Sequence, residues 1–242
     1  MLAATLSHRR IAIFEDDPTN RERLADLISD CGGDALPING PAPALSELKQ
    51  FCDYNKINLL VCDHHLTERS NYASYYGAEA VARSYRNGIG GILVTAYERD
   101  DAEVLLRRHR RLIPALLHSP TDVNSANLQT ALAQAEQEVL KHKPILERIP
   151  HRTIMTVQNI ETRGASKVKV VKVIMIQWNA EQEVVFPLDL IPVKLHHAVR
   201  PGRSLIAQVN IEAARQEDVY FEKFELPNPD VLKKAKAIFD RA

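Results

Sequence analysis

Four short apolar runs, each followed closely by acidic or hydroxyl residues and separated by segments of helical period, constrain this chain most. They are Ile11-Ala-Ile-Phe14, Ile57-Asn-Leu-Leu-Val-Cys62, Gly91-Ile-Leu-Val-Thr95 and Ala115-Leu-Leu117. Runs of that length with little polar alternation suit strands buried on both faces. Between the first two, Pro18 suits a first helical turn, and Leu24, Leu27, Ile28 and Cys31 share one helical face that Gly32-Gly33 closes. Leu45, Leu48, Phe51 and Cys52 suggest a shorter helix, and Ala78–Tyr85 another, closed by Asn87-Gly88. Asp100 or Asp101 can cap a helix holding Val104, Leu105 and Leu106. Leu128, Ala131, Leu132, Ala135 and Val139 mark a last helix out to about Lys141. Strands alternating with helices imply an α/β fold, a doubly wound parallel sheet covered on both faces.

The pattern changes after residue 142. The stretch 143–152 reads as a linker between a first domain, 1–142, and a second, 153–242. In the second, strands are expected at Thr153–Ile160, Val168–Trp178, Val184–Phe186, Ser204–Ile211 and Val219–Phe224. Asn179–Glu183 reads as a hairpin turn and Pro229–Phe239 as a short terminal helix. Short strands at this spacing predict a small antiparallel sheet or barrel.

Composition narrows the function classes. The 242 residues carry 31 basic and 31 acidic groups, so the formal charge is zero and gives no support for sequence-blind phosphate binding. Residues 1–140 hold 14 basic and 19 acidic groups and the remainder 17 and 12, an asymmetry that fits two domains. No apolar run reaches the roughly 18–20 residues that a membrane helix needs. No cationic, apolar leader opens the chain, so a cytoplasmic location is expected. Cys31, Cys52 and Cys62 form no metal or redox spacing and are expected as reduced thiols near a core.

In an open parallel sheet, ligands bind beyond the carboxyl ends of the strands. Glu15, Asp16 and Asp17 follow the first run, Asp63 the second, Thr95 ends the third, and Ser119-Pro120 follows the last. Carboxylates converging there repel unless protons or a cation compensate. Oxygen donors of this kind favour Mg²⁺. The plainer alternatives are a helix N-terminal acid cluster for Glu15–Asp17, a solvated loop carboxylate for Asp63 and a strand-end cap for Thr95.

The segments Ile11-Ala-Ile-Phe-Glu-Asp-Asp-Pro18, Leu59-Leu-Val-Cys-Asp63, Ile92-Leu-Val-Thr-Ala96 and Leu116-Leu-His-Ser-Pro120 resemble the receiver domain of two-component response regulators. The resemblance covers about residues 9–141. It implies a five-stranded, flavodoxin-like sheet with Asp63 as phosphoacceptor. It implies a Mg²⁺ ion held by Asp16 directly, by Glu15 through water, by Asp63 and by the backbone carbonyl of His65. Thr95 falls at the hydroxyl that reports phosphorylation, and Asp17 matches a third acid that need not touch metal. The implied partner is a histidine kinase or phosphotransfer protein, and the implied role is signalling, not metabolic catalysis.

The chain also departs from the family. Ser119 stands where a lysine is usual, so an ammonium that stabilises phosphoryl oxygens is missing. Leu116 occupies the place of the aromatic switch residue. His118, one residue before Ser119, faces the other side of its strand. The stretch from His64 to Gly77 is longer than usual by about six residues and adds Tyr72, Tyr75 and Tyr76. It reads as a lid, a partner contact or a solvated loop. Of the paired histidines His64-His65, one is expected exposed and one packed.

The second domain matches no output type. It has no helix-turn-helix, P-loop or hydrolase elbow. Arg163, Lys167, Lys169, Lys172, Lys194, Arg200 and Arg203 give it a mildly basic surface. Lysines alternating along Val168–Val173 fit an edge strand guarded against aggregation better than a nucleic-acid face. Trp178 is expected to pack in a core or hairpin, and His196-His197 to lie on the surface. Two functions follow: a response-regulator-like phosphoacceptor coupled to a β-rich output domain, or a receiver-shaped scaffold that recruits partners without phosphorylation. A homodimer is compatible with either.

Overall fold

The computed structural model describes residues 6–66, 71–96, 102–163 and 167–228. The chain divides into two compact units. One comprises residues 1–101 and 109–145, the other residues 102–108 and 146–242.

The first unit is built on β1 (Arg10–Phe14), α1 (Pro18–Asp30), β2 (Asp34–Pro37), α2 (Leu48–Tyr54), β3 (Leu59–Asp63), α3 (Gly77–Arg86), β4 (Gly90–Thr95), β5 (Ala115–His118) and α4 (Ser125–Lys141). The strands form one parallel sheet in the order β2-β1-β3-β4-β5. That is the flavodoxin-like doubly wound order. Ile11, Ile13, Leu59, Val61, Ile92, Val94 and Leu117 form one buried face with Leu24 and Ile28 of α1 and Leu128 and Leu132 of α4. Ala12, Phe14, Leu60, Cys62, Leu93 and Leu116 are buried as well. Both faces are therefore covered, which is why the runs lack polar alternation.

Local chemistry sets the helix ends. Asp17 caps α1 by accepting from the Asn20 N–H at 2.9 Å, and Pro18 opens its first turn. After α1, Gly32 adopts φ +77°, a left-handed turn that costs glycine little. The strand β2 is absent from the apolar-run pattern because it is an edge strand, paired only with β1 and at best half-buried. The helix expected around Val104–Leu106 is a π-helical turn, Ala102–Leu106, that passes into the short helix Arg107–His109. Its expected caps, Asp100 and Asp101, lie outside the described residues.

In the second unit, β6 (His151–Arg163), β7 (Val168–Met175), β8 (Asn179–Pro187), β9 (Ser204–Val209) and β10 (Phe221–Glu225) form an antiparallel sheet in the order β10-β9-β6-β7-β8. Alternate residues Met155 and Val157, Val171 and Val173, Val184 and Phe186, Leu205 and Ala207 fill its core. The Phe186 ring packs at 4.4 Å from Phe221 and 5.6 Å from Phe224. Two expectations are corrected here. Asn179–Glu183 belongs to β8 and not to a turn; the chain reverses at 176–178. β7 is not an edge strand but lies between β6 and β8, and Lys172 pairs with Glu161 at 3.0 Å. Lys169 and Lys172 stand at positions of opposite parity on this strand, so they do not share one face. Trp178 packs on the core and donates its indole N–H to the Ala213 carbonyl at 2.8 Å. His196 is half-buried, its Nε2 2.8 Å from the Ile191 carbonyl oxygen. The terminal helix expected over 229–239 lies outside the described residues.

Residues 102–108 belong to this second unit although they fall between β4 and β5 in the chain. The Arg107 side chain is buried, and its Nη1 donates to the carbonyls of Gln216, at 2.9 Å, and Val219. Asn210 is also fully buried and acts as a clamp. Its amide donates to the Glu147 and Asp218 carbonyls at 2.9 and 3.0 Å, and its oxygen accepts from the Tyr220 N–H at 2.7 Å. Asn210→Ala strands all three backbone groups. It should cost about 2–4 kcal/mol and lower the urea midpoint of the transition reported by Trp178, the chain's one tryptophan.

Candidate functional site

The site lies at the carboxyl ends of β1, β3 and β4. Glu15 follows β1 directly, Asp63 ends β3 and Thr95 ends β4. Carboxylate oxygens of Glu15, Asp16 and Asp63 all lie within 4.8 Å of one another. A cleft over them is bordered by Glu15 and Asp63 on one side and by Ser119 of the loop after β5 on another.

Backbone contacts hold each acid in place. Glu15 is 4% exposed, and its Oε1 accepts from the Asp17 N–H at 3.0 Å. Its carbonyl accepts from Arg21 Nη1 at 2.7 Å, and its N–H donates to the Tyr72 hydroxyl at 3.2 Å. That hydroxyl in turn donates to the Ile38 carbonyl at 3.0 Å. Asp63 Oδ2 accepts from the His65 N–H at 2.6 Å. Beneath it, Gly77 sits so close that a Cβ there would meet the Asp63 carbonyl oxygen at 1.8 Å. Only glycine permits this approach of α3 to the end of β3.

The stretch after Asp63 is not a solvated loop where it is described. Tyr72 and Tyr75 are buried, and the Tyr75 hydroxyl donates to the Pro43 carbonyl at 2.8 Å. The Ala42 N–H bonds the Tyr72 carbonyl at 2.7 Å. The added tyrosines thus tie this segment to the loop after β2. His64 is fully buried and stacks on Tyr76 at 5.3 Å, while His65 is half-buried. Burial holds His64 down to about 3, so its imidazole is neutral.

Crowding shifts the acids. Burial, then the Asp63 charge, pushes Glu15 up to about 8. Burial pushes Asp63 up to about 6, against the N–H donors of His65 and His64 that lower it. Three hard oxygen donors, one of them pushed up by burial, fit a divalent cation such as Mg²⁺. Asp17 is spent on the α1 cap and stands outside this group. The thiols are no alternative centre. All three cysteines are free, and burial pushes each of them up, Cys52 to about 11.

Thr95 is fully buried, and its hydroxyl has no hydrogen-bond partner among the described residues. It lies opposite His118 in the β4–β5 register. The Ser119 N–H donates to the Thr95 carbonyl at 2.8 Å, which draws the loop after β5 to the end of β4. Leu116 is buried in β5. Sequence reasoning missed Arg23 and Gly77 as parts of this region, and the bond of Tyr72 to Glu15. Gly77 had a signal in the glycine that closes the tyrosine-rich stretch, but the contact of Tyr72 with Glu15 spans 57 positions and leaves no local trace.

No protein-family model matches the sequence, and no curated protein does. The chain is similar in structure to the signal receiver domain of an HD domain-containing protein from Pseudomonas fluorescens Pf-5. That match has 19% identity and a TM-score of 0.42, over 59% of this chain and 97% of that one. A CheY-like response regulator receiver domain protein from Methanospirillum hungatei JF-1 matches at 20% identity and a TM-score of 0.42, over 57% and 100%. A sensor protein from Polaromonas sp. JS666 matches at 19% and 0.41, over 55% and 98%. These likenesses carry no weight beyond the strand order and site residues described above.

The raised carboxyls have a consequence for stability. Their folded values, about 8 and about 6, exceed the ordinary 4.5 and 3.8, so the cation-free fold binds protons that the unfolded chain releases. Their contribution to stability is therefore fullest below about pH 4 and is lost as pH rises towards 8, by roughly 1.4 kcal/mol per unit of raised pKa. Glu15→Gln should raise the thermal midpoint in chelator at pH 8 and leave it nearly unchanged at pH 4. Added Mg²⁺ should stabilise the wild type at pH 8 more than the variant.

Proposed function

We propose that the first unit accepts a phosphoryl group on Asp63 and that the change is transmitted to the β-rich second unit, as in a two-component response regulator. The observation that carries this reading is the convergence of Glu15, Asp16 and Asp63 within 4.8 Å at the carboxyl end of the sheet. One Asp63 oxygen would attack phosphorus while the His65 N–H holds the other. Asp16 and Asp63, the His65 carbonyl and, through water, Glu15 would hold Mg²⁺, which would supply positive charge against the acids and the incoming phosphoryl oxygens. Thr95 fits a reporter of that event. Its buried, unpartnered hydroxyl is a donor in search of an acceptor, and a phosphoryl oxygen is one. The donor would be a phosphohistidine protein, a kinase or a phosphotransfer protein.

A second reading is favoured by Ser119 and Leu116. A receiver-shaped unit without the usual lysine and aromatic switch is compatible with a scaffold that recruits partners unphosphorylated.

Intact mass separates the two. With Mg²⁺ and acetyl phosphate, or with a cognate kinase, the wild type should gain about 80 Da, one phosphoryl group, and Asp63→Asn should gain none. A chain that stays unmodified by every donor, and whose partners bind Asp63→Asn as tightly, supports the scaffold. Thr95→Val removes the orphaned hydroxyl at constant shape. It should stabilise the unmodified protein by about 1 kcal/mol and leave labelling intact, while abolishing any conformational response to it.

A further inference from the structure

The receiver pattern places a lysine where Ser119 stands, yet the cleft is not without a cation. Asn20 and Arg23 of α1 line it together with Asp63 and Ser119. Two arginines lie close together on α1 and do different things. Arg21 is buried and committed to the backbone of Glu15 and the side chain of Asn39. Arg23 is exposed, and its Nη2 reaches across the cleft to the Val123 carbonyl at 3.1 Å, four residues beyond Ser119. That bond engages one of the five N–H donors of a guanidinium. The head group is thereby tied to Val123, which lines the same cleft as Asp63 and Ser119.

We infer that Arg23 is the cationic contact of the phosphoryl group on Asp63, supplying from α1 the charge that Ser119 lacks. This rests on the reading of Asp63 as phosphoacceptor. A planar guanidinium can donate two parallel hydrogen bonds to phosphoryl oxygens, a geometry that an ammonium does not offer. Ser119 adds one neutral donor. In the reaction with acetyl phosphate, an Asp63 carboxylate oxygen attacks phosphorus and forms the new P–O bond. The bond from phosphorus to the acetyl oxygen breaks, and acetate leaves with the electron pair. Arg23 transfers no proton; it stabilises the oxygens that carry the charge.

The test is the rate of Asp63 labelling by acetyl phosphate in the full chain with Mg²⁺, for wild type, Arg23→Ala, Arg23→Lys and the double variant Arg23→Ala/Ser119→Lys. Thermal midpoints are measured beside the rates. The expected result is a loss of roughly tenfold or more in Arg23→Ala, a smaller loss in Arg23→Lys and substantial recovery in the double variant. Labelling of Arg23→Ala at the wild-type rate would overturn the assignment and leave Asp63 as acceptor. Equal losses in all three variants, with lowered midpoints, would also overturn it, because Arg23 would then only clip the loop at Val123. If the wild type is not labelled by acetyl phosphate or by a kinase, the phosphoacceptor reading itself fails, and this assignment with it.

Discussion

Mutual repulsion among Glu15, Asp16 and Asp63 is the constraint on which the site depends. Two charges 4.8 Å apart in a setting of effective dielectric near 20 repel by about 3.5 kcal/mol, well above the ~1 kcal/mol of a typical hydrogen bond. No single contact offsets that, so the parallel sheet must hold the acids together. Glu15 and Asp63 are fixed by adjacent strands, with Phe14 and Cys62 in register. The bonds of Arg21 and Tyr72 to the Glu15 backbone complete the frame. Burial and then the Asp63 charge push Glu15 up to about 8, so a proton relieves the strain when no cation is present. A divalent cation relieves it without neutralising the nucleophile.

The same frame accounts for the orphaned Thr95 hydroxyl. It sits at the end of β4 with its backbone carbonyl bonded to Ser119, so the strand end is anchored while the side chain has no partner. A few residues further on, 102–108 are built into the β-rich unit, where buried Arg107 bonds the carbonyls of Gln216 and Val219. The chain that leaves β4 therefore enters the second unit before it returns to β5.

The parts of the fold legible in the sequence are those that bury both faces. β1, β3, β4 and β5 announce themselves because every residue in the run is apolar or nearly so. β2 does not, since it is at best half-buried, whereas β5, the other edge strand, is buried along most of its length. In the second unit the period of two marked the strands but not the ends of β8, whose first five residues are exposed and polar. The acids at the strand ends were visible as residues and their convergence was inferred from topology. What escaped were contacts between distant segments: Tyr72 with Glu15, Gly77 under Asp63 and Arg23 with Val123. Each depends on how loops and helices pack, which local pattern does not encode.

The most direct measurement of the central claim uses Mn²⁺ as a paramagnetic stand-in for Mg²⁺ in amide-resolved NMR of the full chain. Substoichiometric Mn²⁺ should broaden the amide signals of Glu15, Asp16, Asp63 and His65 first, and Asp16→Asn should remove that selectivity. Broadening scattered over acidic surface residues, with these four unaffected, would contradict a cation site at Asp63 and the electrostatic account built on it.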